Sequence, residues 1–428
     1  MEGKRLKISK KILAVICAVI LAVIGVFAAC SKTADNGETE KAADAKAVKV
    51  GFIFLHDENS TYDLNFINGA KEACEKLGVE YVLKTNVPET NECYEAAADL
   101  VDQGCNIVFA DSFSHEDFLI QAAKEFPDVE FCHATGTKAH TEKLANFHNA
   151  FASIYEGRYL AGVAAGLKLN EIKEAGKLKG DVPKMGYVGA YTYAEVISGY
   201  TSFYLGAKSV CPDVIMDVQF TGSWYDETAE KEAAQALIDG GADLISQHAD
   251  SMGAPTACEK AGIPDVSYNG STVSACPNTF IVSSRINWAP YFEYMVGQVQ
   301  KGEAIDADWT GTIATGSVEL TEVNEKAAAK DTQAKLDEVK KGLEDGSIKV
   351  FDTSAFTVTV DAKKNINAKA TVDDKGVLTG YQADVDTDAE FAGDTEVVKD
   401  GEFQESKFRS APYFDINIDG ITLLNTAF

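Results

Sequence analysis

The 428-residue sequence lacks the motifs that mark several large classes of enzyme. Its six histidines include no HExxH arrangement, and no GxSxG, Walker A or GxGxxG motif is present. These motifs position a catalytic zinc ion, a nucleophilic serine, a nucleoside triphosphate or a dinucleotide. Their absence disfavours an enzymatic function, and we predict no bound cofactor.

Positive charge is also scarce. The chain has 39 lysines and arginines against 66 aspartates and glutamates, which gives a formal net charge of −27. Such a surface repels nucleic acid and anionic lipid headgroups. We therefore expect no nucleic-acid partner and favour neutral or cationic ligands.

Metal-ligand patterns are missing as well. His115, Glu116 and Asp117 lie close to Asp111 in the sequence, but their spacing matches no established ligand pattern. A solvated helix N-terminus is the better interpretation of this group. We predict no metal site.

The nine cysteines do not form the pattern of a disulfide framework. Cys17 and Cys30 belong to the N-terminal targeting region, and most of the others lie within apolar segments. An odd number of cysteines in such surroundings indicates buried free thiols. This prediction concerns Cys74, Cys93, Cys105, Cys132, Cys211, Cys258 and Cys276.

Residues 1–29 have the features of a bacterial export signal. A basic start is followed by an uncharged run, 12–29, that ends in small residues before Cys30. Residues 27–30, FAAC, resemble a lipobox, in which the cysteine is lipidated and becomes the new N-terminus. An uncleaved transmembrane anchor is the alternative, because the apolar run is long enough to span a bilayer. Both interpretations place the bulk of the protein on the extracytoplasmic face of the cell membrane.

Two α/β lobes are predicted after this region. Small polar residues over 30–47 indicate a flexible tether. Short runs rich in Val, Ile and Phe then alternate with helical patterns, which is typical of βαβ units and parallel sheets. The alternation restarts after a long helix that begins near Tyr155. We predict a doubly wound first lobe, 48–155, completed by about 289–346, and a second lobe, 156–288.

Residues 347–428 differ in character from the rest of the chain. They are acidic and rich in Thr, Val and Gly, and turn pairs such as Asp419-Gly420 separate their alternating runs. Such a pattern indicates β-hairpins. We predict a β-rich C-terminal appendage that makes no contact with a ligand.

The stretch over 218–251 gives the first indication of a binding site. An apolar run, a loop containing Trp224, a helix after Asp226 and a second apolar run before Asp250 indicate one βαβ unit. Ligands of open parallel sheets bind beyond the carboxyl ends of the strands. We therefore expect Trp224 and Asp250 to face the same crevice.

The predicted strand ends contain aromatics, carboxylates, amides and hydroxyls but no lysine or arginine. Anionic ligands normally require a guanidinium or a glycine-rich cradle, so such a ligand is disfavoured. Arg285 is the nearby exception, and a salt-bridging surface arginine is at least as good an interpretation of it. The strand ends are 56–63, 111–117, 191–195, 222–226, 248–253 and 269–274.

A planar, uncharged ligand with hydrogen-bonding edges suits these side chains. Its faces would stack on Trp224 or Tyr62. Its polar edge would bind the carboxylate of Asp250 and the amide of Asn269. The candidate ligand-binding residues are Tyr62, Asp63, Asp111, Tyr193, Trp224, Asp250 and Asn269.

Structural roles compete with binding roles for several of these residues. A single tryptophan at a strand end often serves packing alone. Asp63, Asp111 and Asp226 would equally well cap helices, and for Asp226 we favour the cap. Asp250 precedes a poorer helix start, Ser-Met-Gly, and the two roles are evenly balanced for it.

Several ordered blocks over 48–318 resemble the basic membrane protein family of bacterial lipoproteins. They include YEGRYLAGVAAGLK, TGSWYDETAEKEAAQALIDGGADLISQHADS and INWAPYF. This family comprises substrate-binding components of ABC importers, among them purine nucleoside receptors and purine-binding proteins. The resemblance implies a type I periplasmic-binding fold, with two lobes joined by a hinge. It also implies a purine base or nucleoside held between aromatic rings.

The resemblance also implies roles for individual residues. Trp224 corresponds to a base-stacking residue and Asp250 to a polar anchor. Ser60 stands where many relatives have tryptophan, so Tyr62 would take over the stacking. Nucleoside-binding relatives hold ribose hydroxyls through an aspartate near the position of Asn269, so a free nucleobase is as compatible as a nucleoside.

The resulting prediction is a monomeric, lipid-anchored receptor without enzymatic activity. It would capture a purine nucleoside or nucleobase outside the cell and deliver it to ABC permease subunits. One alternative is a binding protein for another flat heterocycle, such as a flavin, or for a sugar. A second alternative is an extracellular nucleoside hydrolase that uses Asp111 and Asp250 beside a water molecule.

Overall fold

The computed structural model describes residues 47–361, 363–364, 366–385 and 395–427. The predicted signal peptide over 1–29, the predicted lipidation at Cys30 and most of the predicted tether lie outside these residues. Within the described ranges, none of the helices combines the length and the apolar character that a bilayer crossing requires.

Strands and helices alternate through most of the described chain. The helices of this region are α1 (Thr61–Leu77), α2 (Asn91–Asp102), α3 (Glu116–Glu125), α4 (Ala139–Glu142), α5 (Ile154–Glu174), α6 (Ala194–Val210), α7 (Glu227–Asp239), α8 (Gly253–Ala261), α9 (Ala289–Lys301) and α10 (Thr332–Glu344). The strands are β1 (Lys49–Ile53), β2 (Glu80–Lys84), β3 (Ile107–Ala110), β4 (Glu130–Ala134), β5 (Phe147–Ala152), β6 (Lys184–Gly189), β7 (Ile215–Phe220), β8 (Leu244–His248), β9 (Asp265–Tyr268), β10 (Phe280–Ile286), β11 (Asp308–Gly311), β12 (Val318–Leu320), β13 (Ala370–Val372), β14 (Leu378–Ala383), β15 (Thr395–Glu396), β16 (Val398–Lys399), β17 (Glu402–Phe403) and β18 (Ile421–Leu423).

Two large sheets form the centres of two lobes. The first sheet is entirely parallel and has the strand order β11-β5-β4-β3-β1-β2. The second sheet has the order β12-β10-β9-β8-β6-β7-β18 and is parallel except for β12. Helices cover both sheets, so the chain has the periplasmic-binding-protein-like α/β fold that the sequence predicts.

The local sequence explains why these elements form. The central strand β3, IVFA, is an uncharged, fully buried apolar run, as expected for a parallel strand covered by helices on both faces. Helix α1 shows typical end signals. The Ser60 side chain caps its N-terminus by accepting the Asp63 N–H, and Gly78, with φ 65°, ends the helix in the left-handed conformation.

The chain crosses between the lobes in a different place from the prediction. Residues 289–346 do not all complete the first lobe. Strand β11 pairs with β5 of the first sheet, and α9 packs against α1. Strand β12 instead pairs antiparallel with β10 of the second sheet, and α10 packs against α5. Long-range pairing of this kind has no local sequence signal.

The C-terminal segment, which we define as residues 347–427, is rich in β-structure but is not a separate appendage. Its hairpins form two small sheets, β13-β14-β15 and β16-β17. Its last strand, β18, pairs in parallel with β7 and extends the second lobe's sheet, with Ile421 opposite Met216. Phe351 and Phe414 stack at 4.4 Å within the main core cluster. The segment is therefore packed into the body of the protein.

Candidate functional site

A cavity lies between the carboxyl ends of the two sheets. Parallel strands that end at a common edge bring their following loops together, and this edge is the usual ligand site of open α/β sheets. Both lobes contribute side chains. The lining residues are Leu55, His56, Tyr62, Asp63, Ser112, Phe113, Thr135, Glu195, Trp224, His248, Asp250 and Tyr268.

Tyr62 lies in the first turn of α1 on the first-lobe side. Its hydroxyl donates to the Asp111 carbonyl oxygen at 2.8 Å, and its ring meets Phe66 edge-on at 4.8 Å. Burial, reinforced by the negative charge of Glu195, raises the pKa of Tyr62. The ring is therefore a neutral aromatic surface in a fixed position.

Asp63 is a buried carboxylate beside this ring. Burial opposes its ionisation, but hydrogen bonds from His56 and Ser60 outweigh burial, and the pKa of Asp63 lies below its ordinary value. The His56 N–H donates to Oδ1 at 2.7 Å, and the Ser60 hydroxyl donates to Oδ2 at 2.5 Å. Asp63 is thus an ionised acceptor facing the cavity. It does not cap the helix, because Ser60 has that role.

Asp111 lies behind the lining instead of in it. Its Oδ1 accepts the Leu55 N–H at 3.1 Å, and its Oδ2 has no hydrogen-bond partner among the described residues. Burial, and next the negative charge of Asp63, raise the pKa of Asp111 well above its ordinary value. The pKa values of the two acids are therefore shifted in opposite directions. Asp111 supports the wall of the cavity and is not at its surface.

Aromatic rings form the second-lobe side of the cavity. Trp224 lines the cavity and meets the Tyr191 ring edge-on at 5.1 Å. Tyr191 stacks on Tyr193 at 5.1 Å, and Tyr193 stacks on Phe113 of the first lobe at 5.6 Å. Trp224 is half-buried, so one part of the indole packs while another part remains available. Tyr193 supports this cluster and does not line the cavity.

Asp250 completes the set of acids and shares the cavity with Trp224. Its Oδ1 accepts from the Asn269 side chain at 3.3 Å, and Asn65 in turn donates to Asn269 at 3.4 Å. Burial, and next the negative charge of Asp63, raise the pKa of Asp250 well above its ordinary value. Asn269 is outside the lining, so the structure gives it the position of a support for Asp250.

Two residues at this site have left-handed backbones that are costly for residues other than glycine. Thr135 and Asn269 both have φ 65°. Asparagine tolerates this region, whereas a β-branched threonine is a genuine outlier there. Thr135 lines the cavity, and its hydroxyl has no partner among the described residues. Strain of this kind is concentrated at functional sites.

Sequence reasoning missed six polar members of the lining, which are His56, Ser112, Thr135, Glu195, His248 and Tyr268. Glu195 and His248 stand at predicted strand ends, so that signal was available, and His248 Nε2 lies 3.5 Å from Glu195. Burial lowers the pKa of His248, which keeps the imidazole neutral. Tyr268 is the last residue of β9, before the predicted strand end at 269–274, and gave no such signal. Its ring covers the buried Arg158 guanidinium at 5.1 Å.

Several other sequence predictions can be compared with the structure directly. Asp226 caps α7 by accepting the Ala229 N–H at 2.9 Å, as predicted. Arg285 forms a salt bridge with Glu319 at 2.6 Å. The seven cysteines expected to be free are free and buried, which confirms that prediction.

The predicted solvated helix N-terminus at 115–117 is wrong in one respect. His115 and Glu116 are buried, and Glu116 accepts the N–H groups of Thr137 and Lys138 at 2.8 Å each. Asp117 forms a salt bridge with Lys138. These acids therefore fasten a neighbouring loop to the start of α3.

The two lobes touch directly at the site. The Thr61 N–H, at the first position of α1, donates to the Asp250 carbonyl oxygen of the second lobe at 3.1 Å. The His56 and Tyr225 rings lie 5.5 Å apart across the same boundary. The cavity is thus covered by contacts between the lobes, as expected for a site that encloses its ligand.

Comparison with known families gives one strong match. Residues 51–351 match the family described as PnrA-like ABC transporter substrate-binding proteins. The match covers all residues lining the cavity and most strands of both large sheets, but not β18, and it ends shortly after the C-terminal segment begins.

Curated relatives of this chain are named as binding proteins. A purine-binding protein of Brucella abortus is 35% identical over 250 residues, which cover 57% of this chain and 67% of that protein. TsgA13 of Haloferax volcanii, named as a candidate ABC transporter glucose-binding protein, is 28% identical over 317 residues, which cover 71% and 74% of the two chains.

A solved structure supports the fold independently. An ABC transporter solute-binding protein from Conexibacter woesei superposes with a TM-score of 0.57 at 21% identity, over 71% of this chain and 98% of that one. At this level of identity the comparison concerns the fold alone.

Proposed function

The chain belongs to the family of PnrA-like ABC transporter substrate-binding proteins, and from this premise we propose that it binds a purine nucleoside or nucleobase. The ligand would be captured on the extracytoplasmic side and delivered to an ABC permease. We further propose that the mature protein is a monomer attached to the membrane by a lipid on Cys30.

One observation carries the proposal for the ligand. The cavity combines two aromatic side chains, Tyr62 and Trp224, with two buried acids, Asp63 and Asp250. Stacking on an aromatic side chain contributes about 1–3 kcal/mol per base. Carboxyl groups accept ring N–H groups and hydroxyls, and a protonated carboxyl also donates to a ring nitrogen. A purine has both the flat faces and the alternating donors and acceptors that these groups match.

The charge of the lining supports an uncharged ligand. It contains three acidic residues, Asp63, Glu195 and Asp250, and no lysine or arginine. A phosphate group in this cavity would lack a cationic partner and would meet three carboxyl groups. The name of the Brucella relative, a purine-binding protein, agrees with a neutral base or nucleoside.

Binding and lobe closure are coupled in this proposal. Thr61 and Asp250 come from different lobes, so their hydrogen bond forms only when the lobes approach each other. A ligand that contacts both lobes would stabilise the approach through hinge bending. The closed lobes would then present the surface that a permease recognises.

A sugar is the second candidate ligand. The Haloferax relative carries a name that refers to glucose binding, and acids beside an aromatic ring also suit sugar hydroxyls. A nucleoside hydrolase is a third possibility, which the family assignment disfavours. Incubation of the protein with inosine or adenosine would reveal it by the release of free base.

A thermal-shift panel of bases, nucleosides, flavins and sugars tests the proposal. A ligand at 100 times its dissociation constant adds about 2.7 kcal/mol to the free energy of unfolding. We expect purine compounds to raise the melting temperature and sugars and flavins to leave it unchanged. A shift with glucose alone, or turnover of a nucleoside, would contradict the proposal.

A further inference from the structure

A second compartment adjoins the ligand cavity. It is partly open to solvent and lies between both lobes and the C-terminal segment. Phe113, Thr135 and Glu195 line this compartment and the ligand cavity alike. The second compartment and the ligand cavity are therefore adjacent, and these three side chains lie between them.

The C-terminal segment supplies one wall of this compartment. Five lining residues come from it, and all lie beyond residue 351, where the match to the family ends. The expectation that this segment makes no ligand contact was based on its different composition and its hairpin pattern, whereas the structure places it beside the cavity. The residues are Arg409, Ala411, Pro412, Asp415 and Asn417.

This wall is held in place from both lobes. The Ser410 N–H donates to the Asp308 side chain of the first lobe at 2.8 Å. The Ala427 N–H donates to Thr192 of the second lobe at 2.9 Å, next to the pairing of β18 with β7. The wall is thus anchored on both sides of the compartment before any ligand enters.

Arg409 is the distinctive residue of the wall. It is only 6% exposed. Its Nε donates to the Ala411 carbonyl and its Nη2 to the Pro412 carbonyl, both at 3.1 Å, whereas Nη1 has no partner among the described residues. A buried donor without an acceptor is costly, so an acceptor oxygen from a ligand would remove an existing penalty.

The remaining lining chemistry identifies the kind of group that fits. Glu195 and Asp415 supply acceptors, Thr192 supplies a hydroxyl, and Arg409 supplies donors. Only a group that both donates and accepts satisfies all of them, and a hydroxyl does so. A phosphate would meet Arg409 but would also face two acidic residues.

We propose that the C-terminal segment forms a second subsite, in which the Arg409 guanidinium binds a neutral, hydroxyl-bearing substituent of the ligand. The inference rests on the proposed function, in which the flat ring occupies the cavity beside Trp224. For a purine nucleoside the substituent is the ribose. The segment thereby makes a nucleoside a better ligand than its free base.

Calorimetric titration of the full-length chain with matched pairs tests this subsite. The pairs are inosine with hypoxanthine and adenosine with adenine. We expect Arg409→Gln to weaken nucleoside binding about tenfold or more, as for loss of a charged hydrogen bond, and to change base binding by less than twofold. Lys407→Gln, an exposed change on the same segment, is the matched control and should alter neither.

A second variant keeps the inference testable if Arg409→Gln disturbs the fold. Ala411→Leu leaves the guanidinium in place and fills part of the second compartment. It should therefore also weaken the binding of nucleosides more than the binding of bases. Equal losses for base and nucleoside, or unchanged nucleoside binding in both variants, would overturn the subsite alone. Tighter binding of inosine monophosphate than of inosine would contradict the proposal that the subsite binds a neutral substituent. If the unaltered protein bound none of these four compounds, that result would contradict the proposed function and therefore also the subsite.

Discussion

The Thr61 N–H donates to the Asp250 carbonyl oxygen at 3.1 Å, and the Thr61 hydroxyl approaches the same oxygen at 3.2 Å. Thr61 opens α1 of the first lobe, and Asp250 follows β8 of the second. The residue whose side chain lines the cavity therefore also holds the lobes together through its backbone. Asp250 thus both lines the cavity and joins the two lobes.

Removing the backbone donor of Thr61 should weaken ligand binding. Proline is tolerated at the first helical position, and Ser60 already has the extended backbone that a following proline requires. Thr61→Pro should therefore keep α1 intact and lose the hydrogen bonds to Asp250. At about 0.5–1.5 kcal/mol per bond, loss of the two bonds should raise the purine dissociation constant roughly 5- to 150-fold in calorimetry.

Thr61→Ala is the control, because it loses the hydroxyl and keeps the N–H. It should bind more tightly than Thr61→Pro. Equal affinity of Thr61→Pro and the unaltered protein would show that this contact does not contribute to closure.

Trp224→Ala should remove most of the ligand affinity. The indole is the large aromatic surface on the second-lobe side of the cavity, and stacking is worth about 1–3 kcal/mol per base. The dissociation constant should rise about 5- to 150-fold, and the ligand-induced rise in melting temperature should shrink accordingly. Trp309→Ala is a matched control, since Trp309 is also half-buried but packs on Tyr291 away from the cavity. A similar loss in both variants would contradict a stacking role.

Asp111→Asn should change how stability depends on pH. The pKa of Asp111 is higher in the folded chain than in the unfolded chain, because burial and Asp63 disfavour its charge. The contribution of Asp111 to the free energy of unfolding is therefore fully present below about pH 4. It is lost as the pH rises toward the pKa of Asp111 in the folded chain. Asparagine resembles the protonated acid and keeps the oxygen that accepts from Leu55.

The variant should therefore be more stable than the unaltered protein at pH 8, by about 1.4 kcal/mol for each unit of pKa separation. The difference should vanish near pH 4 in urea denaturation. Asp128→Asn, at an exposed position, should change stability by less than about 0.5 kcal/mol at either pH. A constant difference at all pH values would disprove titration of Asp111.

Substitutions of Asn269 should separate backbone strain from support of Asp250. Both Asn269→Gly and Asn269→Ala lose the hydrogen bond to Asp250, so both should weaken ligand binding to a similar degree. The left-handed backbone, φ 65°, favours glycine, so Asn269→Gly should be more stable than Asn269→Ala by about 1 kcal/mol. Thermal denaturation measures the second effect and calorimetry the first. A large difference in affinity between the two would contradict a purely supporting role.

The sequence alone was sufficient for features that depend on neighbouring residues. Strands and helices follow from apolar spacing, and the Asp226 cap follows from a carboxylate at a helix start. The placement of Trp224 and Asp250 on one cavity also follows, because each stands just after a strand and parallel strands end at a common edge.

Only the tertiary structure decided which long-range partners meet. Strand β12 returns to the second sheet, Asn269 supports Asp250 from behind the lining, and Arg409 reaches the compartment next to Glu195. These contacts join separate strands and loops, and their stability comes from burial and pairing that no local pattern encodes. The residues at the predicted strand ends therefore indicated the chemistry of the cavity. The position of the C-terminal segment beside that cavity was evident only from the tertiary structure, because only packing brings such distant residues together.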